Sequence, residues 1–144
     1  MAKTTAFFDK VQKKKIEDSI AQAELNTSGE IRVHIANECK GDVLDCAATM
    51  FARMKMHKTK LRNGVLFYLS VNDRQFAIIG DAGINGVVPK DFWNDIKEHL
   101  LKNFREHKFA EGLCEGIQMA GEHLRLHFPH KEGDKNELSN KVNF

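Results

Sequence analysis

The sequence predicts an α/β protein, a three-layer α/β/α sandwich with a small mixed sheet of three to four strands. Apolar and polar residues alternate from 30 to 36, and residues 64–71 are almost continuously apolar, as in a strand buried on both faces. A helix-length amphipathic segment separates these two strands, which favours a parallel crossover. A tight polar turn at 72–74 precedes the strand at 75–80, so that pair should be an antiparallel hairpin.

Four amphipathic segments supply the helical layers. Helical spacing of apolar residues predicts helices over residues 5–25 and 43–57, over a segment with Pro89 in its first turn, and over 109–128. Residues 80–86 are dense in glycine and predict a loop. We therefore expect one domain over residues 1–128, followed by a flexible polar tail at 129–144 that has little to bury.

Composition argues against several classes of protein. The 144 residues are 42% hydrophobic and 29% charged, which fits one ordinary globular domain. Lys and Arg total 22 against 20 Asp and Glu, a formal charge of +2, so no nucleic-acid partner is expected. The sequence shows no signal-peptide pattern and no apolar run that could span a bilayer, so we expect no membrane partner and a cytoplasmic location.

Cysteine and histidine patterns do not indicate a soft-metal site. Cys39, Cys46 and Cys114 are odd in number and lack CxxC spacing, which predicts three reduced, mostly buried thiols. His123 and His127 are four residues apart on one predicted helix but lack an HExxH glutamate, so we interpret them as a solvated helix end. Phosphate-loop, dinucleotide-binding and serine-esterase motifs are also missing from the sequence.

The expected strand directions bring several oxygen-bearing side chains to one edge of the sheet. If the first two strands are parallel and the third antiparallel, the start of the first two and the end of the third share one sheet edge. The residues that converge there are Ser28, Glu30, Asn63, Asp81 and Asn85. Carboxylate, amide and carbonyl oxygens are the ligands of a hard cation, and calcium is the first choice. The alternative is that Glu30 and Asp81 only cap turns.

Five short motifs then occur in one order: TSGEIRV at 27–33, NGVL at 63–66, NDR at 72–74, GDAGI at 80–84 and EGI at 115–117. Over about residues 8–128 the chain resembles the TPM domain family. The resemblance implies a Rossmann-like α/β/α sandwich. Some family members resemble divalent-cation binders, and a thylakoid lumen member is described as an acid phosphatase.

Carried onto this chain, the resemblance implies a metal site of Glu30, Asn63 and Asp81, with Glu115 as a further ligand. It implies calcium as the bound ion, with magnesium as the alternative. Three functions follow as hypotheses: a divalent-cation binding domain, a metal-dependent phosphatase of acid phosphatase type with a phosphorylated substrate, and an interaction scaffold with a protein partner. No catalytic residue is assigned. Many family members are secreted or membrane-anchored, and this chain departs from them in showing neither signal.

Overall fold

The computed structural model describes residues 7–130 and 140–144. Its elements in chain order are α1 (Lys10–Ala23), β1 (Glu30–Ala36), α2 (Val43–Arg53), a 3-10 turn (Met56–Lys58), β2 (Gly64–Ser70), β3 (Gln75–Gly80), α3 (Ala82–Asn85), α4 (Asn94–Arg105) and α5 (Phe109–Arg125).

The sheet has three strands in the order β1-β2-β3. β1 runs parallel to β2 with Glu30 opposite Gly64, and β3 runs antiparallel to β2 with Gly80 opposite Val65. The predicted strand directions and the α/β class are therefore confirmed. Every residue of β2 is buried, as its continuous apolar run indicates for a central strand.

Helices cover both faces of this sheet. On one face, Ile31, Val33 and Phe67 join the core that α1, α4 and α5 complete. On the other face, a second apolar cluster joins Leu66 and Tyr68 to α2 and to the 3-10 turn. The predicted three-layer α/β/α arrangement is thus confirmed. No helix in the described part of the chain is long and apolar enough to cross a membrane.

The helices differ from the sequence prediction in several places. The first helix ends at Ala23 and the last at Arg125, two and three residues before the predicted ends. The second helix ends at Arg53 because Lys55 adopts a left-handed backbone (φ 57°), and a separate 3-10 turn follows. The predicted glycine loop contains the short helix α3, whose first amide is capped by Asp81. The third predicted helix begins at Asn94, five residues after Pro89, because turns occupy the intervening segment.

Cys39 and Cys46 form a disulfide, so the prediction of three reduced thiols is wrong for this pair. The chain between them reverses at Gly41 (φ 97°), which brings the two Cα atoms to 6.1 Å. Sequence spacing does not show this reversal. Cys114 is a free, half-buried thiol, and burial raises its pKa.

The C-terminal segment reaches the open edge of β1 at Asn143. The Asn143 amide donates to the Val33 carbonyl at 2.9 Å, the Ile35 amide donates to the Asn143 carbonyl at 2.8 Å, and Val142 is buried. These residues pack more closely than a polar tail predicts, because Val142 and Phe144 offer apolar surface. Residues 131–139 lie outside the described part, so the flexible tail stays a prediction there.

Candidate functional site

Three loops meet at the sheet edge where β1 and β2 begin and β3 ends. The Glu30 amide donates to the Asn63 carbonyl at 3.2 Å, and the Asp81 amide donates to the Gly64 carbonyl at 2.9 Å. Glu30, Asn63 and Asp81 are 3%, 2% and 6% exposed. The strand directions thus bring these three predicted residues to one edge.

Asp81 is held by a neighbouring arginine. Arg62 donates from Nε to Oδ2 and from Nη2 to Oδ1, both at 2.8 Å, and the Ala82 amide donates to Oδ1 at 2.7 Å. Burial opposes ionisation of the carboxyl, yet these hydrogen bonds and the Arg62 charge lower the pKa of Asp81 overall. Asp81 is therefore a carboxylate at neutral pH, already facing a cationic group whose side chain is half exposed.

The position of Arg62 depends on a close approach between two loops. Arg62 has a left-handed backbone (φ 52°), and its carbonyl accepts from the Gly83 amide at 2.9 Å. A Cβ at Gly83 would lie 2.3 Å from the Leu61 carbonyl oxygen and 2.5 Å from that of Arg62. Only glycine fits here without displacing the loop that carries Arg62.

Glu30 belongs to a buried ionic cluster. Its Oε2 lies 3.6 Å from Nη2 of Arg32, and Nη1 of Arg32 donates to Oε2 of Glu24 at 2.9 Å. Burial lowers the pKa of the Arg32 guanidinium, and burial raises the pKa of Glu24 although Arg32 opposes that rise. Two carboxylates thus pair with one guanidinium in this buried cluster.

Asn63 and Ser28 complete the polar lining. The Asn63 side-chain amide donates to Oγ of Ser28 at 3.4 Å, and the Asn63 backbone amide donates to Oγ1 of Thr59 at 3.3 Å. Asn85 instead donates its side-chain amide to the Gly80 carbonyl at 2.9 Å, which closes the loop after β3. Asn63 can therefore offer its amide oxygen to a ligand, whereas Asn85 acts as a loop brace.

Glu115 does not join this group. Its exposed carboxylate pairs with His99 of α4. Along α5, Glu115 lies nine residues before Leu124, a distance of about 13 Å. Leu124 is the part of α5 that packs against Gly29 at the sheet edge. The structure separates Glu115 from the other three predicted ligands, so we leave it out of the site.

His123 lies in the last turn of α5 and is partly buried, whereas His127 lies beyond the end of α5 and is exposed, as the predicted solvated helix end implies. Nε2 of His123 lies 2.6 Å from Oδ2 of Asp95, and the rings of His123 and His127 both flank Phe92. Within residues 7–130 and 140–144, no three His, Cys, Asp or Glu side chains are grouped to hold a metal. A cation at the sheet edge would therefore depend on two carboxylates supplemented by amide and backbone oxygens.

Sequence reasoning missed two ion pairs of the site. Glu30 and Arg32 are two residues apart on one strand and share a face, a signal that could have identified their cluster. Arg62 and Asp81 are 19 residues apart, and no local pattern indicates their pairing.

The sheet with helices on both faces defines a three-layer α/β/α domain. Residues 1–123 match the model of the TPM domain, so the chain belongs to the TPM domain family. No curated protein matches the chain.

Several solved structures are similar to it. The BA42 protein of the psychrophilic bacterium Bizionia argentinensis is 44% identical over 99% of both chains, with a TM-score of 0.92. The N-terminal domain of a P. gingivalis protein is 20% identical, covering 88% of this chain and 83% of that one, with a TM-score of 0.70. The N-terminal domain of a Corynebacterium glutamicum protein is 13% identical over 82% and 74%, with a TM-score of 0.66. The last two likenesses concern the fold alone.

Proposed function

We propose that this TPM domain binds a divalent cation, calcium first and magnesium as the alternative, through Glu30, Asn63 and Asp81. One observation carries the proposal: two buried carboxylates and an amide from three separate segments of the chain meet at one sheet edge. The donors are all oxygen, the ligand type that hard cations prefer. A cation there would link the three segments and compensate the charges of the two carboxylates.

The residues fit a cation under one condition. Arg62 donates to both Asp81 oxygens and places a positive charge beside them, so the guanidinium must withdraw before Asp81 can bind a cation through both oxygens. The Arg62 side chain is half exposed and can turn toward solvent without leaving a buried charge behind. Arg62 would therefore compete with the cation for the carboxylate.

The compartment bears on the choice of ion. A cytoplasmic location stays a prediction, and the Cys39–Cys46 disulfide argues against it, because disulfides persist in oxidising compartments. Extracellular calcium modules work with dissociation constants of about 10⁻⁴–10⁻³ M. The disulfide therefore favours calcium over magnesium.

Asp81→Asn tests the site. The change removes a charge and preserves side-chain size, and Asn caps a helix as well as Asp does, so the fold should remain intact. At a calcium concentration of about 100 Kd, binding to the folded state adds about 2.7 kcal/mol and raises the melting temperature by several degrees. Asp81→Asn should lose most of that rise.

Asp42→Asn is the matched control, because Asp42 caps α2 by accepting from the Leu44 amide at 2.7 Å and lies outside the cluster. Thermal melts of the three proteins, with calcium and with chelator, compare the responses directly. A calcium response in Asp81→Asn as large as in Asp42→Asn would remove Asp81 from the site, and the capping alternative would then explain its position.

A metal-dependent phosphatase is the second candidate, and the exposed half of Arg62 favours it. A guanidinium beside a cation site suits the oxygens of a phosphomonoester, and a bound cation would polarise a phosphoryl oxygen and activate a water. No side chain is assigned as nucleophile. Turnover of p-nitrophenyl phosphate that requires the cation and is lost in both Arg62→Gln and Asp81→Asn would support it. The third alternative, an interaction scaffold, predicts neither turnover nor a calcium response.

A further inference from the structure

A cavity of about 440 Å³ lies at the opposite edge of the sheet from the cation site. Its walls are the end of β2, the β2–β3 turn, the end of α4 and the start of α5. Small-molecule sites in proteins commonly measure roughly 300–1,000 Å³. The cavity therefore has room for a compact organic ligand, and none of the candidate cation ligands lines it.

The floor of this cavity is a chain of aromatic rings. Phe76 meets Phe104 edge to face, Phe104 meets Phe109, and Phe109 meets Phe7, each pair with ring centroids 5.3 Å apart. All four rings are half buried and pack against the main core. A planar or aliphatic ligand body would cover their exposed surface and extend that core.

The rim of the cavity carries positive charge without a balancing carboxylate. Arg74, Arg105 and His107 line it, and both guanidinium groups are exposed and form no ion pair with any residue in 7–130 or 140–144. None of the described residues that line the cavity is acidic. The adjacent Asp73 accepts from the Ser70 hydroxyl at 2.9 Å and from the Cys39 amide. Two arginines are thus available to an anion.

The start of α5 adds to this field. The helix has 17 residues, it begins at the lining residue Phe109, and its N-cap Lys108 provides no side-chain cap. The amino end of a helix carries partial positive charge and unsatisfied amide groups, which favour anions. The cavity rim and the amino end of α5 therefore both carry positive charge.

We propose that this cavity is a binding site for a small amphipathic anion, an aryl or alkyl carboxylate. The apolar body lies on the phenylalanine floor, and the carboxylate is bound at the rim by Arg74 and Arg105. A planar guanidinium binds a carboxylate through paired N–H donors, which makes arginine suited to this class of ligand. The assignment is independent of the cation site at the other edge.

Titration of the full chain with 2-naphthoate, followed by amide chemical shifts, tests the site. Saturable shifts should concentrate in residues 69–76 and 101–109. The uncharged analogue 2-naphthylmethanol should bind at least tenfold more weakly, since it keeps the apolar body and lacks the anion. The double variant Arg74→Gln/Arg105→Gln should remove this preference, whereas Arg53→Gln, an exposed arginine of α2, should preserve it.

A charge reversal inside the cavity gives a second test. Leu101 lines the cavity and is 41% exposed, so Leu101→Glu adds a carboxylate without emptying the core. It should abolish naphthoate binding, whereas Leu44→Glu, at a leucine of α2 that is 52% exposed, should leave binding unchanged. Any of three results would overturn the proposal. Naphthoate and naphthylmethanol could bind equally, naphthoate could still bind the arginine double variant, or the shifts could be dispersed over the surface.

Discussion

Gly83→Ala probes the loop contact that positions Arg62 beside Asp81. The added methyl group would lie 2.3 Å from the Leu61 carbonyl oxygen, about 1 Å closer than the van der Waals contact allows. Backbone cannot turn aside as a side chain can, so the two loops must separate and the Gly83 to Arg62 hydrogen bond of 2.9 Å must lengthen.

Two effects of Gly83→Ala should lower the free energy of unfolding. Overpacking a tight site typically costs about 1–3 kcal/mol. A weakened backbone hydrogen bond adds about 0.5–1.5 kcal/mol. We therefore expect Gly83→Ala to lower the free energy of unfolding by about 2–4 kcal/mol, measured by urea denaturation.

Gly86→Ala is the matched control three residues away. Its Cβ would lie 3.4 Å from the Ala82 carbonyl oxygen, an ordinary contact, and its backbone is helical (φ −75°). Alanine there should be neutral or should stabilise by about 0.4–1 kcal/mol, because it restricts the unfolded chain. If the two variants unfold within about 0.5 kcal/mol of each other, the loops do not approach as described and the account of Arg62 fails.

Two further predictions concern charge. Because Arg62 donates to both oxygens of Asp81, Arg62→Gln should tighten calcium binding about two- to fivefold, the range expected for an exposed ion pair. Arg53→Gln should leave calcium binding unchanged. If calorimetry shows that Arg62→Gln binds calcium more weakly, Arg62 does not compete with the cation. Burial lowers the pKa of His34 to about 4, and its Nδ1 accepts from the Asn143 side chain at 2.7 Å. The unfolded state, with a His pKa near 6.5, binds the proton more readily, so the free energy of unfolding should fall as pH drops from about 6.5 to about 4, by up to about 3 kcal/mol. His34→Gln should flatten this part of the pH profile; an unchanged slope would show that other groups cause it.

The strand directions could be predicted because each rests on a local pattern. The alternation from Glu30 to Ala36, the apolar run of β2 and the short polar turn before β3 together determine which ends of the strands meet. The convergence of Glu30, Asn63 and Asp81 follows from that topology alone. Glu115 could not be placed in the same way, because helix α5 spans the sheet and its sequence does not show which turn reaches the edge.

The partners of the site residues were less accessible to sequence reasoning. Arg62 reaches Asp81 because its own backbone is left-handed, and an arginine gives no sequence signal for that conformation. The Cys39–Cys46 disulfide depends on the chain reversal at Gly41. The pairing of Asn143 with β1 joins residues more than 100 positions apart, across a polar segment. Each of these contacts depends on tertiary geometry, which residue spacing does not encode.

Charge balance explains why a divalent cation suits the edge under the proposed function. The three ion pairs described above join three carboxylates, Glu24, Glu30 and Asp81, to two guanidinium groups, Arg32 and Arg62. These five groups sum to one net negative charge when all are ionised. Withdrawal of Arg62 leaves two negative charges, which one divalent ion neutralises and one monovalent ion does not. Because Arg32 is buried and cannot withdraw without leaving its charge unsolvated, Arg62 alone can yield its position. The site would thus select a divalent over a monovalent cation because the cation replaces one exposed arginine, Arg62, beside Asp81.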